Sequence, residues 1–164
     1  MSTIDSRQNL CMIFCDISKA FDRVWYTGLL FKLRQYRVNG QLLACIRNYI
    51  SHRQQSVSVG SAKSLSRHVN AGVPQGSALG PLFFVVYVND ISVNLLSSSG
   101  LFADDTSLAW SASNVNDIEG ILNHDLDMVS TWSKQWRVSF NQTKTEAILF
   151  SNQNVQPRTY YLIT

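Results

Sequence analysis

Residues 10–15, LCMIFC, are apolar without interruption and stop at Asp16. So short a run fits a strand buried on both sides, and the chain must then build a sheet around it. Two more short strand-like stretches follow far downstream, at residues 101–103 and 106–110, with a fourth at 146–150. Asp104 and Asp105 lie between the second and third, which predicts a hairpin with both acids in its turn.

Helical periodicity fills the intervals. Leu29, Leu30, Leu33 and Tyr36 recur at helical spacing, and Asn39-Gly40 reads as a helix stop. Leu42, Leu43, Ile46, Tyr49 and Ile50 mark a second helix that fades at Ser51-His52. Residues 54–60 alternate around Val57 and Val59 and predict an exposed strand, with a hairpin partner at 66–71. The segment GVPQGSALG at 72–80 is turn-rich. Pro81 then suits the first position of a helix through residue 96, apolar nearly all round and therefore central. Residues 97–100 read as a break. Val115, Ile118, Leu122, Leu126, Val129 and Trp132 outline a long amphipathic helix capped by Asn114. Trp132 and Trp136 continue its apolar face and read as packing residues.

With residues 24–71 set aside as an insertion, the order is βαββαβ. The expected fold class is α+β, a split βαβ (ferredoxin-like) sheet with helices on one face. That topology hosts many functions and names none. Hydrophobic residues make up 45% and charged residues 15% of 164, a globular composition that excludes wholesale disorder, collagen and coiled coil. No apolar run approaches the ~20 residues that span a bilayer. The N-terminus, MSTIDSRQNL, lacks the pattern of a secretory signal. Cys11, Cys15 and Cys45, without CxxC spacing, argue against a disulfide framework or structural zinc and point to a reducing compartment. Cys11 and Cys15 read as small core residues.

Charge is unevenly distributed. Residues 19–67 carry nine cations (Lys19, Arg23, Lys32, Arg34, Arg37, Arg47, Arg53, Lys63, Arg67) against one acid, Asp22. Interleaved with Trp25, Tyr26, Tyr36 and Tyr49, this +8 block suits contact with a phosphate backbone, and suits equally a set of solvated helix faces. The acids are sharper. Asp16 ends one strand, and Asp104 and Asp105 turn between its expected neighbours, so the three should gather at one sheet edge. Like charges brought together are costly unless neutralised, and a hard divalent cation does this economically. Solvated turn aspartates are the alternative on spacing alone. His52, His68 and His124 have no partner at ligand spacing, and Ser77 has no nearby histidine, so no chemistry is assigned to them.

The surrounding residues separate these readings. FCDISKAFDRVW at 14–25, GVPQGSALGPLFF at 72–84, FADDT at 102–106, and WSKQW at 132–136 with NQTKT at 141–145 occur in this order. They resemble the four successive motifs of reverse transcriptases, in the form found in non-LTR (LINE-type) retrotransposons. The resemblance spans roughly residues 10–150 and implies the polymerase palm with part of the fingers, 1–151; residues 152–164 are polar and read as a loose tail. It implies RNA-directed DNA polymerisation on an RNA template and DNA primer with dNTP, using two Mg²⁺ ions or Mn²⁺. Asp16 and Asp104 would be the metal carboxylates, Asp105 an accessory acid, and the Ile17 carbonyl a further ligand. Phe21 would lie under the nucleotide sugar and collide with a 2′-hydroxyl, or serve as a core aromatic. Pro74, Gln75 and Gly76 would form a platform for the nascent base pair. Lys144 would reach the leaving pyrophosphate. Lys19 and Arg23 would flank nucleotide or primer, or be solvated charges.

The same resemblance implies a piece of a longer polyprotein, without upstream fingers, thumb or endonuclease. The competing expectation is an inert remnant that binds nucleic acid through residues 19–67. A nucleotide cyclase on this topology would carry a Gly-Gly-rich turn where this chain has Asp-Asp.

Overall fold

A computed structural model describes residues 8–151 and residue 160 of the chain. The expected tail lies almost wholly outside the described residues. The fold is α+β, and the chain divides into two compact units, residues 1–18 with 89–164, and residues 19–88. The second takes in residues 19–23 and 72–88 as well as the stretch read as an insertion.

The first unit is built on a four-stranded antiparallel sheet. Its strands are β1 (Asn9–Asp16), β6 (Ser98–Phe102), β7 (Asp105–Ala112) and β8 (Glu146–Phe150), in the order β6-β7-β1-β8. That is the strand order of a split βαβ sheet. β1 lies between β7 and β8, with Ile13 opposite Leu108 on one side and Ala147 on the other. One face of β1, with Cys11, Ile13 and Cys15, is fully buried, whereas Phe14 on the other face is 38% exposed. The apolar run is therefore covered on one side, not both. An antiparallel sheet needs only one covered face, and helix α4 (Val115–Trp136) packs on β7 and β1 to supply the cover.

α4 carries the predicted stripe. Ile118, Leu122, Leu126, Val129, Trp132 and Trp136 are all buried, so the two tryptophans are packing residues. The Asn114 side chain accepts a bond from the Asn116 amide at 2.9 Å, as a helix N-cap should. Asp125, wholly buried on α4, accepts from the Leu96 and Ser97 amides at 3.0 and 2.7 Å. These bonds fasten the approach to β6, which begins at Ser98 inside the expected break. Cys11 and Cys15 are buried core thiols and Cys45 is exposed, all three free. Burial pushes Cys15 up to about 11, partly offset by a hydrogen bond with Thr145.

The second unit holds α1 (Tyr26–Gln35), α2 (Gly40–Ile50) and α3 (Leu79–Val88). α1 packs against α2 and α3, burying Leu29, Leu33, Leu43, Phe83, Phe84 and Tyr87. Asn39-Gly40 opens α2 instead of closing α1, which ends at Gln35; a positive φ of 64° at Arg37 turns the chain between them. α3 stops at Val88, short of the expected residue 96, and it is not central all round. Leu79, Leu82 and Val85 line an exposed side. The exposed hairpin is nested: β2 (Gln54–Gln55) pairs with β5 (Arg67–His68), and β3 (Ser58–Val59) with β4 (Ala62–Lys63).

Two of the nine cations here are structural. Lys32 is buried and donates to the Tyr87 carbonyl, with its ammonium 5.2 Å from the Tyr87 ring centroid. Arg53 is spent on backbone carbonyls, as described below. No helix among the described residues is long and apolar enough to cross a membrane.

Candidate functional site

In the first unit the site forms where β1 ends and β7 begins. Asp16 and Asp105 are directly opposed in the antiparallel register, so their side chains share a face of the sheet, the one opposite Cys15 and Thr106. The turn consists of Ala103 and Asp104, since Phe102 pairs with Asp105. Asp105 is thus the first strand residue and not a turn residue. Ala103 has φ 53°, the left-handed conformation that lets two residues reverse the chain. The Ile17 amide donates to the Asp104 carbonyl at 3.1 Å, joining the turn to the residue after Asp16. Ile17 itself is buried and bridges Phe140.

A second loop closes on the same edge. The Asn141 amide donates to the Asp16 carbonyl at 2.8 Å. The Asn141 side chain accepts from the Thr143 amide and hydroxyl at 3.2 and 2.7 Å, and its carbonyl accepts from the Thr145 hydroxyl at 3.0 Å. This self-bonded turn delivers Lys144, whose ammonium lies 3.3 Å from an Asp16 carboxylate oxygen. The Lys144 side chain is 64% exposed and that of Asp16 19%, so the pair contributes about 0–1 kcal/mol and breaks easily.

The backbones carrying the three acids converge as expected. The side chains do not form a cluster: among the described residues no group of three or more His, Cys, Asp or Glu is gathered closely enough to hold a metal ion. The reason is register and charge. Only Asp16 and Asp105 stand opposite one another, three like charges repel, and the cation that meets Asp16 is Lys144. That contact still shows a carboxylate receiving a cation, and the donors at hand are the oxygens a hard divalent ion prefers. Carboxylate oxygen is the donor type such an ion takes, and holding one would require the three side chains to close together.

In the second unit, Lys19 is exposed with φ 51°, and Phe21 lies in a single 3-10 turn, Ala20–Asp22. Phe21 is half-buried and stacks on Phe84, with ring centroids 4.9 Å apart and planes at 29°. Phe21 is thus a packed aromatic with one side left open. The Val73 amide donates to the Phe21 carbonyl at 2.8 Å and the Gly72 amide to Val24 at 2.9 Å. These bonds carry Pro74, Gln75 and Gly76 to the same part of the unit.

Two glycines of this segment have different reasons. A Cβ on Gly72 would stand 2.8 Å from the Asp22 and Phe21 backbone, whereas Gly76, with φ 75°, faces open space. The Ser77 hydroxyl donates to the Pro74 carbonyl at 2.7 Å and accepts from the Gly80 amide at 3.0 Å. It braces the turn and is no nucleophile. Gln75 donates from its side-chain amide to the Asp22 carboxylate at 2.8 Å. Asp22, Gln75, Lys19 and Arg53 border a cleft of about 890 Å³.

The residues that sequence reasoning missed are Asp22, Asn141, Tyr26 and Arg53. Asp22 carried a signal, being the one acid among nine cations. Asn141 opens the NQTKT motif and bonds locally to Thr143 and Thr145, whereas Tyr26 and Arg53 carried no signal, because their partner carbonyl on Ala71 is remote in sequence.

The reverse transcriptase (RNA-dependent DNA polymerase) family profile matches residues 2–162. The chain is 31% identical over 167 residues to a probable RNA-directed DNA polymerase from transposon X-element of Drosophila melanogaster, covering 99% of this chain and 18% of that protein. It is 29% identical over 161 residues to the RNA-directed DNA polymerase from mobile element jockey of the same organism, covering 93% and 18%. The chain thus spans about a fifth of these relatives' length. Among solved structures it is similar to apo telomerase from Candida tropicalis (TM-score 0.66, 15% identity, 93% of this chain and 33% of that one). It is also similar to telomerase from Candida albicans (TM-score 0.65, 16% identity, 90% and 27%); these two likenesses concern the fold alone. With a profile covering nearly its whole length, the chain belongs to the reverse transcriptase (RNA-dependent DNA polymerase) family.

Proposed function

We propose that this domain copies RNA into DNA, with the 3′-hydroxyl of a DNA primer attacking the α-phosphate of a dNTP and pyrophosphate leaving. The observation that carries the reading is the opposition of Asp16 and Asp105 at the end of β1, with Lys144 already paired to Asp16. Asp16, Asp104, Asp105 and the Ile17 carbonyl would hold Mg²⁺ or Mn²⁺. When bound, a pair of such ions neutralises the attacking and leaving oxygens of a phosphoryl displacement.

The chain's own residues do the rest. Lys144 sits on an exposed, weakly held ion pair, so it can exchange Asp16 for pyrophosphate and deliver a proton or a point charge there. Phe21, fixed by its stack on Phe84, presents a rigid edge that a ribose 2′-hydroxyl would strike. Gly76, open and without a Cβ, lets a base pair approach the backbone, beside Pro74 and Gln75. Lys19, exposed beside the cleft, is available to phosphate.

Primer extension on an RNA template tests this, comparing the wild-type chain with Asp104→Asn and Lys144→Ala. The expected result is Mg²⁺-dependent extension abolished by Asp104→Asn and slowed by about 10²–10⁴-fold in Lys144→Ala. Equal incorporation by wild type and Asp104→Asn refutes the assignment. A second reading, a remnant that only binds nucleic acid, is favoured by the seven exposed cations of residues 19–67 that remain in one compact unit once Lys32 and Arg53 are set aside. It predicts salt-sensitive binding with no synthesis.

A further inference from the structure

The segment that presents Pro74, Gln75 and Gly76 has almost no regular structure of its own. Residues 69–73 lie outside any helix or strand, yet Gly72 and Val73 are buried. Buried backbone outside regular structure must find its hydrogen bonds elsewhere. Part of the answer is Arg53. Its guanidinium donates to the carbonyls of Ala71, at 3.3 Å, and of Gly72. It also donates to the Ile50 carbonyl at 3.2 Å and to the Tyr26 hydroxyl at 2.9 Å. The group stands 5.9 Å from the Tyr26 ring centroid. The Tyr26 hydroxyl lies 3.0 Å from the Ala71 carbonyl, and the Arg53 carbonyl accepts from the Val69 amide at 2.9 Å. One side chain therefore ties the end of α2, the start of α1 and the strap entering the platform.

We infer that Arg53, held by Tyr26, is a positioning residue for the Pro74, Gln75 and Gly76 platform. A planar fork with several donors suits this task, because it reaches divergent carbonyls at once; an ammonium has neither the reach nor the fixed directions. Gly72 adds the other half of the design. It has no room for a Cβ, so the strap is pressed against residues 21–22 on one side and stapled by Arg53 on the other. The displaced platform would misplace the base pair, and a misplacement of about 1 Å costs up to 10²-fold in a positioned reaction. The consequence for substrate rests on the function proposed above, whereas the staple rests on geometry alone.

The test compares the full chain as wild type, Arg53→Gln, Arg53→Lys, Tyr26→Phe and Asp104→Asn, by amide hydrogen exchange and by primer extension over a dNTP titration. In both Arg53 variants the Gly72 and Val73 amides are expected to exchange about tenfold faster while α1 amides keep their protection. The KM for dNTP should rise about tenfold with kcat changed far less, and Arg53→Lys should not rescue it. Tyr26→Phe, the variant least able to disturb folding, should shift both readouts in the same direction by a smaller factor. Unchanged exchange at Gly72 and Val73 in the folded variants overturns the inference. So does faster exchange with an unaltered KM, which leaves Arg53 a purely structural residue. Extension by wild type no better than by Asp104→Asn overturns the proposed function instead, and the exchange comparison then decides the staple by itself.

Discussion

Asp125 offers the sharpest test of how the sheet edge is built. Its side chain is wholly buried on α4, and its two oxygens accept separate bonds from the Leu96 and Ser97 amides, at 3.0 and 2.7 Å. Those amides precede β6 by one or two residues, and β6 leads directly into the turn that carries Asp104. Asp125→Ala removes two charge-assisted bonds and leaves two amide donors short of a partner. At roughly 1.5–3 kcal/mol for each bond to a charged group, with incomplete additivity, the expected loss is about 3–5 kcal/mol. Asp125→Asn keeps the shape and one acceptor, but turns an NH₂ toward the other amide, so about half of that loss is expected. Urea unfolding followed by tryptophan fluorescence measures both, with a lower midpoint at constant m as the signature. The ordering Ala worse than Asn worse than wild type is required. A loss below about 1 kcal/mol for Asp125→Ala would mean that water replaces the carboxylate at no cost, and the reasoning fails.

Four further outcomes follow from the same structure. Gly72→Ala forces a Cβ to within 2.8 Å of the Asp22 and Phe21 backbone and should destabilise clearly more than Gly76→Ala, which meets only the left-handed φ penalty of about 1–2 kcal/mol; equal unfolding midpoints for the two variants would contradict this. Phe84→Ala removes the ring under Phe21 and should cost about 3–5 kcal/mol of stability. If Phe21 screens the sugar, the variant should also incorporate rNTP more readily, measured as the dNTP-to-rNTP ratio in primer extension. Cys15 keeps its proton in the folded state up to about pH 11 because burial disfavours the thiolate. The unfolded chain ionises this thiol earlier, near 9.0, so its contribution to stability is intact below pH 9 and is lost as pH rises from about 9 to about 11. Cys15→Ala should flatten that part of the stability-versus-pH curve. A thiol-titrating reagent at neutral pH should modify exposed Cys45 first, and reach Cys11 and Cys15 only on unfolding.

Much of the architecture is legible in the sequence. The α4 stripe, its Asn114 cap, the four sheet strands and their βαββαβ order all follow from local periodicity, because period and turn chemistry are written in neighbouring residues. Errors fell at boundaries. Asn39-Gly40 predicts the end of the first helix yet opens the second, and the apolar residues 89–96 predict helix although the chain leaves the helix at Val88. The sequence places Asp105 in the turn and the structure places it on the strand, because register depends on both strands together.

The motif order, most element types and the identities of the acids and of Lys144 are legible along the chain, since each is a property of short stretches of residues. Long-range packing sets the rest: Lys32 and Arg53 are spent inside the protein, Asp22 holds Gln75, and Asp16 meets Lys144 in place of a third carboxylate. Those outcomes depend on carbonyls and side chains brought together from positions far apart, and a hydrogen bond of that kind leaves no periodic trace in the residues that make it.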